Sequence, residues 1–142
     1  MSYELERSIG FKINQTANKI NNKYTKMLQP FNIAPEQRAA LEIIKYESDV
    51  NQTKIATILG KDKTTICRAL NALETKNFIK KSQKDKRTNL IEITPEGEDI
   101  LDKCSVYVKG FRKNLSSKLK DEDMNTLIKL LEKVALSVEE LS

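Results

Sequence analysis

The sequence predicts a mainly α-helical fold that carries one small β-hairpin. Near both ends of the chain, apolar residues recur at spacings of three and four, as they do along one face of an amphipathic helix. Between these ends, two short helical patterns precede two alternating segments around a charged turn, which predict a hairpin. With 142 residues, 39% of them hydrophobic and 32% charged, the chain is long enough to form one globular domain.

The first two predicted helices are bounded by prolines. The first covers about residues 4–29 and ends at Pro30, because proline cannot continue the backbone hydrogen-bond ladder. Pro35 suits the first position of a second helix, which extends to Tyr46. Residues 49–50 are then a candidate for a very short strand.

The next two helices are predicted from their caps. Asn51 is a favoured N-cap for a third helix, and Gly60 can end that helix in the left-handed conformation. Asp62 can cap a fourth helix, which Asn77 should stop. Only Gly60 and Lys61 precede the Asp62 cap, and this is the short turn of a helix-turn-helix. The apolar residues that the fourth helix should bury are Ile66, Ala69, Leu70 and Leu73.

The rest of the chain predicts the hairpin and two more helices. Residues 78–81 and 90–93 read as strands around a polar turn. Pro95, followed by an acidic residue, opens a fifth helix that reaches about Leu119. A final amphipathic helix begins near Asp121. The third helix, the fourth helix and the hairpin together predict a winged helix-turn-helix.

The patterns divide the chain into a middle lobe and flanking helices. Residues 31–94 are the predicted lobe, and residues 1–30 and 95–142 supply the long amphipathic helices. A lobe this small cannot cover all of their apolar surface, so a second copy of the same helices is expected to do so. The sequence therefore predicts a homodimer held by helices from both termini. The alternative is a monomer whose terminal helices fold back on the lobe.

Positive charge is concentrated in residues 61–90. This segment holds nine Lys or Arg against three acids, a net charge of +6, whereas the rest of the chain holds 16 bases and 17 acids. Such a local excess indicates a surface for a polyanion. The second helix of a helix-turn-helix enters the major groove of DNA. Double-stranded DNA is therefore the predicted partner.

The predicted DNA contacts lie on the helix-turn-helix and the hairpin. Arg68 can bind O6 and N7 of guanine, and Thr64 and Thr65 can bond to phosphate or touch a thymine methyl group. A merely solvated first helical turn is the alternative for Lys63 and the two threonines. The candidate DNA-binding residues are Asn51, Gln52, Thr53, Lys63, Thr64, Thr65, Arg68, Asn71, Lys84, Lys86 and Arg87.

The hairpin turn carries a dense basic cluster. Lys84, Lys86 and Arg87 repel one another unless an anion neutralises them, and an arginine at the tip suits a narrow minor groove. The alternative is that these charges only protect the sheet edge from aggregation. Asp85 lies within the cluster, and we predict that it pairs with a nearby arginine to fix the hairpin.

The sequence argues against catalysis and metal binding. It contains no histidine, the commonest general base and metal ligand, and no glycine-rich phosphate loop. We predict no enzyme activity, no metal and no cofactor. Cys67 and Cys104 are predicted to be reduced, partly buried thiols. Cys67 is also a redox candidate, because cations such as Arg68 nearby favour its thiolate.

The sequence also predicts a cytoplasmic protein. No apolar run approaches the roughly 20 residues that a membrane-spanning helix needs. The first 15 residues, MSYELERSIGFKINQ, lack the apolar core and basic flank of a secretory signal. No membrane partner is expected.

The segment Asp85–Gly97, DKRTNLIEITPEG, resembles the wing signature of the MarR family of winged-helix transcriptional regulators. In that signature, an Asp, one residue and an Arg are followed by five residues, an aliphatic–Thr pair and a helix. The resemblance extends upstream through Thr65, Arg68 and Leu73. The sequence departs from the family pattern at Ala34, Asn77 and Lys81, where Ser or Thr, Gly and Arg are usual, and the turn is about two residues short.

The resemblance implies a function as well as a fold. It implies a two-fold dimer, built from the terminal helices, that binds pseudo-palindromic operator DNA. It places Arg87 in the minor groove, residues 64–68 in the major groove and Asp85 in a salt bridge within the wing. Family members commonly repress transcription and release DNA when a small phenolic or lipophilic compound binds or an oxidant is sensed. Two alternatives stay open: a winged-helix module that binds an acidic protein, and a cysteine-based redox regulator.

Overall fold

The computed structural model describes residues 4–83 and 89–141. Within them the fold is mainly helical, with one two-stranded antiparallel sheet, so the predicted fold class is confirmed. The chain divides between Val106 and Tyr107 into two compact units. The elements are α1 (Ile9–Leu28), α2 (Pro35–Tyr46), α3 (Gln52–Leu59), α4 (Lys63–Thr75), β1 (Ile79–Gln83), β2 (Asn89–Ile93), α5 (Pro95–Leu115) and α6 (Asp121–Glu139).

The first α-helix begins five residues later than predicted. Glu4–Arg7 forms a separate 3₁₀ turn, and Ser8 then has extended dihedral angles. The Ser8 hydroxyl accepts a hydrogen bond from the Phe11 N–H at 3.3 Å, so Ser8 is the N-cap of α1. Sequence periodicity continues through this break, because the apolar spacing does not depend on which residue caps the helix.

The start of α2 lacks a side-chain cap of the usual kind. Ala34 occupies the N-cap position and has no side-chain oxygen, but its N–H donates to Gln37 Oε1 at 3.2 Å. Lys76, at the end of α4, donates from Nζ to the same Gln37 oxygen at 2.9 Å and to the Asn32 carbonyl at 2.7 Å. Lys76 therefore ties the end of α4 to the turn before α2.

The core of the lobe lies where α2 and α4 pack together, with α3 and β2 against them. Ala40 and Leu41 of α2 are completely buried. The four apolar residues predicted to face inward from α4 are all buried, so the predicted orientation of that helix is confirmed. Ile55, Val50, Ile79 and Ile91 are among the other buried apolar residues.

The hairpin is short and its register is regular. Ile79 pairs with Ile93, and Lys81 pairs with Ile91. The predicted very short strand at residues 49–50 is absent, because Asp49 has a left-handed φ of 52° that an extended strand does not permit. Val50 instead contributes one hydrogen bond, from the Ile91 N–H to its carbonyl at 3.0 Å.

Thr94 joins the hairpin to α5. Its hydroxyl donates to the Asn77 carbonyl at 2.7 Å and accepts from the Gly97 N–H at 3.0 Å. Its own N–H donates to the Phe78 carbonyl at 3.0 Å. Asn77 has a left-handed φ of 64°, as expected at a helix stop. The end of α4, the base of the hairpin and the start of α5 are thus held together by one buried threonine.

The second unit contains the end of α5 and all of α6. The fifth helix ends at Leu115, four residues earlier than predicted, and α6 begins at Asp121 as predicted. No described residue of α6 is buried, although the helix is 19 residues long and amphipathic. No helix among the described residues is both long enough and apolar enough to cross a bilayer.

Candidate nucleic-acid interface

The predicted helix-turn-helix is present, and its caps are those that the sequence indicates. Asn51 Oδ1 accepts from the Lys54 N–H at 2.8 Å at the start of α3. Gly60 ends α3 with φ 65°, and the turn continues directly to Asp62. Asp62 Oδ1 accepts from the Thr65 N–H at 2.7 Å, which fixes the first turn of α4.

Asp62 remains an anion at neutral pH. Hydrogen bonds from the Thr65 backbone and side chain lower the pKa of Asp62 from its usual 3.8 and outweigh the desolvation that raises it. The charges of Arg68 and Lys61 lower it further by smaller amounts. Thr65 takes part in the cap of α4 through its N–H, and a DNA contact from its side chain stays a prediction.

The open face of α4 carries the other predicted DNA-binding residues. Lys63, Thr64, Arg68 and Asn71 are exposed, while Thr65 is half-buried. Thr64 and Arg68 are four residues apart and therefore lie on the same side of the helix. The helical period places these side chains opposite the buried stripe, so their exposure could be predicted from the sequence alone.

The start of α3 is joined to the start of α4. Gln52, which is half-buried, donates from Nε2 to the Lys63 carbonyl at 3.0 Å, while Asn51 and Thr53 are exposed. A polar cleft of about 510 Å³ lies between the start of α3 and the hairpin. Its lining residues are Asn51, Gln52, Thr53, Leu70, Lys81, Asn89 and Ile91.

Several cations of the basic segment are paired within the protein. Lys76 binds Asn32 and Gln37, as described above. In contrast, neither Lys63 nor Arg68 forms an ion pair among the residues that the structure describes. The cations that do have acidic partners form the pairs Lys61–Glu36 at 3.5 Å, Lys80–Glu92 at 3.5 Å and Lys81–Glu74 at 3.6 Å.

Cys67 and Cys104 are both free thiols, as predicted. Cys104 is buried, and this burial raises the pKa of its thiol despite the opposing charge of Arg38. Cys67 is half-buried on α4, and its sulfur accepts a hydrogen bond from Asn71 Nδ2 at 3.7 Å. A redox role for Cys67 stays a prediction.

Asn71 also contacts the hairpin, which was not predicted. Its Oδ1 accepts a hydrogen bond from Lys81 Nζ at 3.3 Å. Because side chains alternate along a strand, Lys81 lies on the same side of β1 as the buried Ile79, which faces the core. This alternation could have predicted the contact from the sequence. At the hairpin tip, Lys84, Asp85, Lys86 and Arg87 lie outside the described residues, so their predicted roles stay predictions.

Residues 33–88 match the model of the MarR family, and this match spans the helix-turn-helix described above. Over this segment the chain is similar to the MarR family. Over 124 residues it is 29% identical to the HTH-type transcriptional regulator YwoH of Bacillus subtilis, covering 87% of this chain and 90% of YwoH.

Solved MarR-family structures have the same fold over nearly the whole chain. The MarR/EmrR family transcriptional regulator of Acinetobacter sp. ADP1 superimposes with a TM-score of 0.89 at 29% identity, covering 98% of this chain and all of that one. A mutant of MarR from E. coli, solved in complex with operator DNA, gives a TM-score of 0.81 at 25% identity, covering 94% and 99% of the two chains.

Proposed function

We propose that this chain is a MarR-family protein that acts as a dimeric, sequence-specific DNA-binding regulator of transcription, and that it is a repressor that a small ligand releases. The observation that carries the proposal is the open face of α4, where Lys63, Thr64 and Arg68 are exposed and the two cations have no internal ion pair among the described residues. The similar MarR protein of E. coli was solved with operator DNA. Because its proposed partner is chromosomal DNA, the protein is expected in the cytoplasm.

The shape of the lobe suits the major groove. Helix α4 has 13 residues and is therefore about 20 Å long, and a groove about 12 Å wide admits one such helix. Arg68 is assigned to a base edge because its guanidinium can form two parallel hydrogen bonds with guanine. Lys63 and Thr64, together with Asn51 and Thr53 at the start of α3, are assigned to the DNA backbone.

The competing class, a module that binds an acidic protein, has less support. The exposed face of α4 is built from Lys, Thr, Arg and Asn side chains, and protein-binding surfaces instead place apolar or aromatic anchors at their centre. Within the helix-turn-helix, residues 51–75, Ile58 on α3 is the large apolar side chain with substantial exposure. One such residue does not form an extended apolar patch.

The DNA-binding proposal predicts a symmetric site and a strong salt dependence. Selection from a random duplex pool should yield two half-sites whose centres lie about 10 bp, or about 34 Å, apart. For the selected duplex, a plot of log K against log salt concentration should have a slope of roughly −5 to −9, if about six to ten phosphates are neutralised. A single asymmetric half-site would contradict the dimeric arrangement. A slope near zero, or no enrichment of any duplex, would contradict DNA binding itself.

The dimer is supported by apolar side chains exposed on the long helices of both chain ends. Near the amino terminus these are Ile9, at the start of α1, and Leu5, in the 3₁₀ turn before it. On α6 they include Leu127, Ile128, Leu130, Leu131, Leu136 and Val138, each at least 43% exposed. A helix with this much apolar surface in water is expected to bury it against a partner.

Light scattering tests the dimer. The wild-type protein should have twice the mass of the 16.2 kDa chain. Leu131→Lys should shift the equilibrium toward the monomer, because it places a charge in the apolar surface. Glu132→Lys, a charge change at the adjacent exposed position, should leave the dimer intact. A wild-type mass of one chain at micromolar concentration would contradict the proposal.

The first unit contains a groove that supports the ligand part of the proposal. It lies between α1, α2 and the end of α3 and has a volume of about 520 Å³, within the range of about 300–1,000 Å³ for small-molecule sites. Its lining residues are Asn21, Tyr24, Thr25, Ala34, Pro35, Glu36, Ala39, Leu59 and Lys61. Lys61 directly precedes the Asp62 cap of α4, so a ligand here would contact the turn that leads into α4. A phenolic or lipophilic ligand stays a prediction.

A further inference from the structure

Lys81 leaves the hairpin on the side that faces α4. It pairs in register with Ile91 and is two residues from Ile79, and both isoleucines are buried. Side chains two apart on a strand, and those directly opposite across a ladder, point to the same face. The Lys81 ammonium therefore reaches α4, where it lies 3.3 Å from Asn71 Oδ1 and 3.6 Å from Glu74 Oε1.

The Asn71 side chain is held in one orientation by its two neighbours. An ammonium can only donate hydrogen bonds, so the Asn71 oxygen must face Lys81 and the amide nitrogen must face away. That nitrogen donates to the Cys67 sulfur at 3.7 Å. Both polar atoms of the carboxamide are thus hydrogen-bonded to other residues of the lobe, although Asn71 itself is exposed.

We propose that Asn71, Glu74 and Lys81 form a brace that sets the angle between the hairpin and α4, and that Asn71 and Lys81 act in DNA binding as positioning residues. The inference rests on the proposed function and adds to it an assignment for Lys81, which was not among the predicted DNA contacts. It also reassigns Asn71 from a DNA contact to an internal one.

The physical reason is that the brace adds a contact to α4 beyond the base of the hairpin, which Thr94 and the buried Ile79 and Ile91 already hold. A two-stranded hairpin is marginally stable by itself, so its orientation depends on what packs at its base. All three side chains of the brace are partly exposed, and such ion pairs contribute little to global stability. Two elements that bind DNA together nevertheless need a fixed relative geometry, and losing it lowers affinity through the cost of ordering on binding.

A double-mutant cycle in the full-length protein tests the brace. The variants are Asn71→Ala, Lys81→Met and the double variant, measured on the duplex selected by the wild-type protein. Each single change should weaken binding by about three- to tenfold, and the double variant should be no weaker than the worse single variant, because both changes break the same contact. The salt slope and the melting temperature should stay near the wild-type values. Lys81→Arg should restore most of the affinity.

Lys80 supplies the matched control. It precedes Lys81 on the same strand, faces the other side and pairs with Glu92 at 3.5 Å, so Lys80→Met removes the same charge without touching the brace. Its effect on affinity should be smaller than that of Lys81→Met.

The outcomes separate the brace from the proposed function. Additive effects of Asn71→Ala and Lys81→Met, or a salt slope smaller by about one in Lys81→Met as for a lost phosphate contact, would overturn the brace while leaving DNA binding in place. The brace would also be overturned if the variants had melting temperatures so much lower that unfolding alone explained the weaker binding. A wild-type protein that enriches no duplex would overturn the proposed function.

Discussion

Gly97→Ala is expected to lower the free energy of unfolding by about 3 kcal/mol. Gly97 lies in the first turn of α5, where a Cβ atom would collide with the carbonyl oxygen of Phe78 and come within 2.7 Å of Ile93 Cγ1. The backbone of Phe78 cannot move aside easily, because its carbonyl accepts the Thr94 N–H at the base of the hairpin. The added methyl group should therefore push α5 away from the hairpin.

Gly110→Ala is the matched control for this change. Gly110 lies in the same helix, and an added Cβ there would meet no atom within 4 Å. Because glycine in a helix is less favourable than alanine, Gly110→Ala should raise stability by about 0.5–1 kcal/mol. Urea unfolding followed by circular dichroism measures both. If the two variants have equal stability, the close approach of α5 to the hairpin is wrong.

Local signals in the sequence were sufficient for most of the lobe. Asn51, Gly60, Asp62 and Asn77 each act on the backbone next to them, so their roles at helix ends could be predicted without knowing the tertiary structure. The start of α1 could not be placed in this way. Ser8 caps that helix inside a continuous apolar pattern, and the pattern alone does not show where the backbone leaves the helical conformation.

The position of the candidate site could be predicted from the sequence, but the internal contacts of its cations could not. Helical periodicity identifies the exposed face of α4, yet it cannot show which cations are already used inside the protein. Lys76 binds Asn32, 44 residues away along the chain, and Lys61 pairs with Glu36. Such contacts depend on how α2 and α4 pack. In the sequence there is only a basic segment of +6. Among its described cations, the structure separates those bound internally from Lys63 and Arg68, which have no ion pair with a described residue.

Arg68→Ala is expected to weaken binding to the selected operator by about 5- to 150-fold, which corresponds to about 1–3 kcal/mol for a lost bidentate contact to guanine. It should also relax the sequence preference at one or two base pairs. Arg68 is exposed and has no ion pair among the described residues, so no such pair has to break before its guanidinium binds a base. Fluorescence anisotropy on the operator, and on duplexes changed at single positions, measures both effects.

Three comparisons separate base recognition by Arg68 from a general effect of charge. Arg68→Lys keeps the charge but loses the planar fork, so it should retain part of the affinity and lose the preference. Arg87→Ala should weaken binding to all duplexes alike, as expected for an arginine in the minor groove, while leaving the dimer intact. Arg7→Ala, an exposed arginine outside the lobe, should change neither quantity. If Arg68→Ala weakened every duplex by the same factor, Arg68 would contact the DNA backbone, and base recognition would have to come from other residues on the open face of α4.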